Sequence, residues 1–131
     1  MLWNDSYKSG IDVIDRQNFD LVARIGEMMY FEDNSIILKQ LEVFEELVEK
    51  YFAREQILHD KHRYLDAYSH KISHKVYMRE LRQIKRNFVK AGATLENERK
   101  FFIQVFEFLK EHIMNHDRYF AHFYNNDPII C

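Results

Sequence analysis

The sequence predicts an all-α chain folded as an antiparallel up-down-up-down four-helix bundle with an N-terminal extended arm, and three observations carry that reading. Breakers are scarce, with Gly10, Gly26, Gly92 and Pro128 the only glycines and proline in 131 residues. No stretch alternates apolar and polar residues as a half-buried strand does. Apolar residues instead recur at spacings of three and four, the period of a helix face packed in a bundle. The length suits one hydrophobic core and is short for two, so a single domain over residues 1–131 is expected.

The arm is placed at residues 1–13. The first helix is expected over 15–31, with Asp15 as its N-cap and Ile14, Asn18, Leu21, Ile25 and Met28 facing inward. Phe31, Glu32, Asp33, Asn34 and Ser35 supply turn and capping residues. The second helix, over 35–63, carries the stripe Ile37, Leu41, Phe44, Val48, Tyr51, Glu55, Leu58. The third, over 67–91, presents His70, His74, Tyr77, Leu81, Ile84 and Phe88. Gly92 is its left-handed stop and Thr94 the next N-cap. The fourth, over 95–124, aligns Phe102, Val105, Leu109, His112, His116 and Tyr119. Short connections make the up-down-up-down order the simplest topology.

Composition narrows the function classes. The chain is 47% hydrophobic and 31% charged, with 19 basic and 21 acidic residues interspersed for a net charge of -2. Disorder is not expected from such a chain, and neither is nucleic-acid binding, since no basic face stands ready for a phosphate backbone. No stretch reaches the roughly 18–20 consecutive apolar residues of a membrane span, and Met1 to Asp5 do not open a signal peptide. A soluble, cytoplasmic protein without a membrane partner is expected. Cys131 is the only cysteine, which excludes an internal disulfide and a cysteine-based zinc site.

All four stripes are interrupted by polar residues, and the interruptions fall at matching heights. His74 and His112 are equidistant from Ala93, so antiparallel helices bring them side by side. Asn18 and Tyr51 are equidistant from the Asn34–Ser35 junction, and Glu55 and His70 flank the second connection. Burying several unpaired ionisable groups costs several kcal/mol for each, more than a bundle this small can absorb. A metal ion compensates them, because neutral imidazoles and carboxylates are its ligands and facing helices deliver them from several directions. His70 and His74, spaced i,i+4, share one helix face.

These residues resemble the hemerythrin family, bacterial members included, over nearly the whole chain. The arm and first helix match in Trp3, Tyr7, Gly10, Ile11, Ile14, Asp15 and Gln17, but Asn18 stands where the family has a histidine. The family's His-Phe-x-x-Glu-Glu run reads Tyr51-Phe52-Ala53-Arg54-Glu55-Gln56 here. The His-x-x-x-His pair is kept as His70 and His74, and Trp-Leu-x-x-His-Ile-x-x-x-Asp appears as Phe108 to Asp117. The resemblance implies a hemerythrin-like non-haem iron protein: His70, His74 and His112 match the three-histidine iron, and Glu55 and Asp117 match the carboxylates that bridge two irons. Asn18 and Tyr51 replace the two histidines of the second iron.

One or two iron ions therefore remain open. Three imidazoles with one or two carboxylates suffice for a single iron. A second iron could take Tyr51 as phenolate and Asn18 through its carbonyl oxygen, a pair that favours ferric iron over reversible oxygen carriage. His59, one turn beyond Glu55, is read first as a surface residue and second as a replacement ligand. On an ideal helix His116 lies about 40° from His112 and Asp117 about 140°, so spacing alone favours His116 as the inward neighbour. The family pattern favours Asp117, with a π-bulge supplying the rotation. His62 and His122 are read as surface residues, and Leu109 and Ile113 resemble the family's ligand-pocket lining.

Three functions follow. The chain binds or senses a small ligand such as dioxygen or nitric oxide, or iron itself; or it is a redox enzyme acting on superoxide, peroxide or nitric oxide; or it is a metal-free interaction module. Phe101, Phe102, Phe106, Phe108, Phe120 and Phe123 are mostly packing, with a homodimer patch as the alternative.

Overall fold

Asp15 does not cap the first helix. In the computed structural model, which describes residues 2–30, 34–92 and 94–125, α1 (Asp12–Met28) already begins at Asp12, after Ile11, which offers no side-chain cap. The Asp15 carboxylate instead reaches back and accepts from Ser9 N at 2.7 Å, Ser9 Oγ at 2.8 Å and Gly10 N at 3.1 Å. It fastens the arm, whose chain reverses at Gly10 with φ +91. The arm is not wholly extended, since Asp5–Tyr7 form a 3-10 turn capped by Asn4. Trp3 packs edge-on against Tyr7 and Phe19, and Arg118 donates to the Ser6 carbonyl oxygen.

α2 (Asn34–Lys61) and α3 (Ala67–Ala91) follow, then α4 (Leu95–His112), a π segment (Ile113–Asp117) and α5 (Arg118–Asn125). The residues bounding the π segment keep right-handed helical dihedrals, so α4, the π segment and α5 run on as one rod. α1 packs on α2, α2 on α3, α3 on α4, and α4 closes the ring on α1, which makes a four-helix bundle. Among the described residues there is no strand, and no helix is long and apolar enough to cross a membrane. The turn residues at 31–33, Ala93, Pro128 and Cys131 lie outside the described residues.

The termini have clear causes. Thr94 accepts from Asn97 N and caps α4, and Gly92 ends α3 at φ 86. After α2 the chain turns through Arg63, the one non-glycine residue with positive φ among those described. Tyr64 N bonds His59 O at 2.9 Å and Arg63 N bonds Asp60 O at 3.2 Å, the paired bonds of a Schellman stop. The accompanying side-chain contact is Tyr64 on His59, their rings 5.2 Å apart.

The core has two parts. The larger runs from Ile37, Leu41, Phe44 and Val48 through Phe52, Leu81, Val105, Leu109 and Ile113. The smaller, made of Ile11, Ile14, Tyr64, Phe120 and Ala121, closes one end. Polar residues lie between: Phe52 and Tyr77 of the larger cluster touch His74 and His112, while Tyr64 and Phe120 of the smaller touch His59 and His70. The level at which the four stripes break is thus a buried polar layer.

Two of the expected stripes are shifted by one residue. On α2, Phe52 and His59 are buried where Tyr51 and Leu58 are only half-buried. A strict four-three alternation drifts by about 20° per heptad from a straight helix, so the inward face has moved on by the fifth turn. Beyond the π segment, Phe120 is buried and Tyr119 is 69% exposed. The wider π turn takes up one extra residue and advances everything after it.

Candidate metal centre

The centre is assembled by three helices. α2 supplies Glu55, α3 supplies His70 and His74 from successive turns of one face, and the rod of α4 supplies His112 and Asp117. Each is at most 4% exposed. The π segment is what makes the last pair possible, because it rotates Asp117 inward to full burial and leaves His116 half-buried on the groove side.

All three imidazoles present Nε2 to the two carboxylates. His74 Nε2 lies 2.8 Å from Glu55 Oε2, with His70 Nε2 at 3.5 Å and His112 Nε2 at 3.7 Å from the same oxygen. Asp117 Oδ1 faces His112 Nε2 at 3.2 Å and His70 Nε2 at 3.4 Å. One donor atom from each of Glu55, His70, His74 and His112 falls within 4.8 Å of all the others. The ring centroids of the three histidines are 4.6, 5.0 and 5.1 Å apart.

The electrostatics show how closely these groups are coupled. Burial works to raise the Glu55 pKa, but hydrogen bonding to His112, His70 and His74 prevails and holds the carboxyl well below its usual range. Burial likewise opposes a proton on His112, yet Asp117 and Glu55 outweigh it and push the imidazole up to about 10. His70 is raised for the same reason against the same burial penalty. On His74 burial prevails over Glu55 and brings the pKa down to about 4. Two carboxylates among three imidazoles favour a positive charge between them, which a proton on His112 can supply.

A proton answers incompletely. His70 Nε2 and Nδ1, His112 Nε2 and Asp117 Oδ1 are buried without a hydrogen bond of acceptable geometry among the described residues. Such orphans each cost about 1–3 kcal/mol. A divalent ion fits them: three neutral imidazoles and two carboxylates form a nitrogen–oxygen donor set of net charge opposite and equal to its own. Beside the cluster, Gln56 Nε2 donates to His74 Nδ1 at 3.0 Å and Phe52 stacks on the His74 ring at 3.8 Å.

Asn18 and Tyr51, the two residues considered as further ligands, are engaged elsewhere. Asn18, buried, donates from Nδ2 to Asp117 Oδ2 at 2.9 Å. The half-buried Tyr51 donates its hydroxyl to Asp20 Oδ2 at 2.6 Å, with Arg24 on the same oxygen and Arg54 over the ring. Burial and then the Asp20 bond raise the Tyr51 pKa, the opposite of what a phenolate ligand requires.

His59 is not on the surface. It is fully buried, its ring 4.3 Å from His70 and 4.2 Å from Phe120, and neither nitrogen has a hydrogen-bond partner among the described residues. Burial, then the neighbouring His70, lower its pKa to about 3, so the ring is neutral. His62 is half-buried with its ring edge-on to Tyr124, and His122 is exposed. Leu109 and Ile113 lie in the main core and line none of the surface grooves near the histidines. The grooves that reach the centre are walled by other residues: Phe52, Gln56 and His74 between α2 and α3, and Tyr77, Phe108, His112 and His116 between α3 and α4.

No family model matches the chain, and no solved structure matches it. Among curated proteins it is similar to the bacteriohemerythrins of Pseudomonas aeruginosa strains LESB58 and UCBPP-PA14 and of Pseudomonas paraeruginosa strain DSM 24068 / PA7. Each is 29% identical over 120 residues, which is 89% of this chain and 76% of the relative.

Proposed function

The chain is hemerythrin-like, and on that basis we propose that it is a non-haem iron protein holding one ion on His70, His74, His112, Glu55 and Asp117, with a small ligand such as dioxygen or nitric oxide as its partner. The observation that carries the reading is the convergence of three buried Nε2 atoms on two buried carboxylates, several of them without any other partner. A single ion is favoured over two by Asn18, whose amide takes the second oxygen of Asp117, and by Tyr51, which is turned to Asp20.

Bound iron supplies a redox-active Lewis acid that small ligands can approach. The protein's part is positional. Glu55 and Asp117 would supply the negative charge that balances the ion, the three histidines would fix its place, and Phe52 holds the His74 ring by stacking on it. With Tyr51 held away, no phenolate biases the ion towards the ferric state, so ligands of ferrous iron come within reach. A metal-free module is disfavoured because the hydrogen bonds of Asn18 and Tyr51 leave His70 and His112 unsatisfied.

Metal analysis tests this. After reconstitution with ferrous iron, about one iron per chain is expected, and the His74→Ala variant should lose it together with thermal stability. No uptake by the parent protein, or unchanged metal in His74→Ala, sinks the ligand assignment.

A further inference from the structure

Among the described residues, Tyr77 carries the one buried hydroxyl left without a hydrogen-bond partner. It is 4% exposed, and its Oη has no hydrogen-bond partner among the described residues. Its ring lies 6.3 Å from the His112 ring and meets Phe52 edge-on at 5.5 Å, immediately outside the histidine cluster. It also walls the groove between α3 and α4, about 340 Å³, together with His112 and Phe108. Phenol O–H groups usually find a partner when buried, because an unmet donor is costly in an apolar surrounding.

The other polar groups of that groove are less suited to the role. Ser73 already donates to the His70 carbonyl at 2.6 Å, Ser69 and Glu111 are exposed, and His116 is half-buried at the mouth.

We infer that Tyr77 is a specificity-determining residue: its hydroxyl donates a hydrogen bond to an exogenous ligand seated beside the ion, and the α3–α4 groove is that ligand's way in. The ligand class is a small anion with a lone pair beyond the atom that meets the ion, of the size of azide or superoxide. A donor fixed in an apolar wall discriminates such anions from ligands that cannot accept, because a hydrogen bond to a charged acceptor is among the stronger ones.

This inference rests on the single-ion reading, and the experiment separates the two. Iron content and the electron paramagnetic resonance signal of the ferric protein are measured first, then azide is titrated against the visible charge-transfer band. Tyr77→Phe removes one oxygen and keeps the ring. The variant should hold the same iron with the same melting midpoint or a higher one, while its azide Kd rises about tenfold or more. An unchanged azide Kd in Tyr77→Phe overturns the inference, as does iron-loaded parent protein that binds no azide. Failure of the parent to take up iron at all strikes the single-ion reading itself.

Discussion

Asn18 and Asp117 are joined by a buried hydrogen bond of 2.9 Å, from the amide Nδ2 to the carboxylate Oδ2, at the level of the three histidines. The aspartate thereby has one oxygen towards His70 and His112 and the other towards α1. The oxygen of Asp117 that faces away from the histidines is thus taken up by an amide.

The first prediction concerns that amide. Asn18→His combined with Tyr51→His supplies imidazoles at the two positions that the resemblance assigns to a second ion. Iron per chain is expected to rise from about one to about two. Neither substitution alone should do so, because each leaves the second ion with a single imidazole. A double variant that stays at one iron would falsify the account of the lost second site.

Gln56 gives the second. Its amide N–H donates to His74 Nδ1, which leaves the ring proton on Nε2, the nitrogen that faces Glu55 and would bind the ion of the proposed centre. Metal-binding imidazoles ordinarily donate from the distal nitrogen to an acceptor. Gln56→Glu supplies one, and iron affinity should increase about tenfold, as outer-sphere partners of this kind commonly do. The check is competition with a chelator of known affinity; weaker binding in the variant contradicts the role given to Gln56.

His59 gives the third. A buried ring with both nitrogens unmet is a cost that packing alone does not remove. His59→Leu keeps similar volume without the polar atoms, so the metal-free protein should gain about 1 kcal/mol and melt a few degrees higher. Its iron content should equal that of the parent. Loss of iron from this variant makes His59 a ligand after all.

Arg63 gives the fourth. At φ 53 it occupies the left-handed position of the stop after α2, which costs an L-residue about 1–2 kcal/mol. Glycine avoids the clash and loses part of the gain to chain entropy. Arg63→Gly should therefore stabilise by about 0.5–1 kcal/mol, read from denaturant midpoints at constant slope. Arg63→Val, branched at Cβ, should move the midpoint the other way.

Much of this architecture was legible in the sequence, and the misses have physical causes. The α3 stripe from His70 to Phe88 reads directly, because every inward residue follows one helical period. On α2 the alternation of four and three was carried too far. A straight helix advances about 100° per residue, which turns Phe52 and His59 inward and lets Tyr51 slip to the edge, where Asp20 meets it. Asp15 has the chemistry of an N-cap, but the arm before it offers three donors that the helix does not need to satisfy. Tyr77 read as a core aromatic, and its spacing carries no sign that the hydroxyl would be unmet. Cooperation among Glu55, His70, His74 and His112 was visible as interruptions at one height, because antiparallel neighbours with short connections convert sequence distance into height.

Between His112 and Phe120 the chain spends one residue more than an unbroken α-helix would, and that surplus sits in the π turn at Ile113–Asp117. The two ends of the rod are consequently out of phase, like combs offset by a tooth. Asp117 at the centre and Phe120 in the end cluster depend on the same offset, so neither can be reset without the other. A one-codon deletion within this turn would close the offset, swinging Asp117 off the histidines and Tyr119 into the place of Phe120. For Asp117 and Phe120 to face inward together, the turn must keep its length as well as its aspartate.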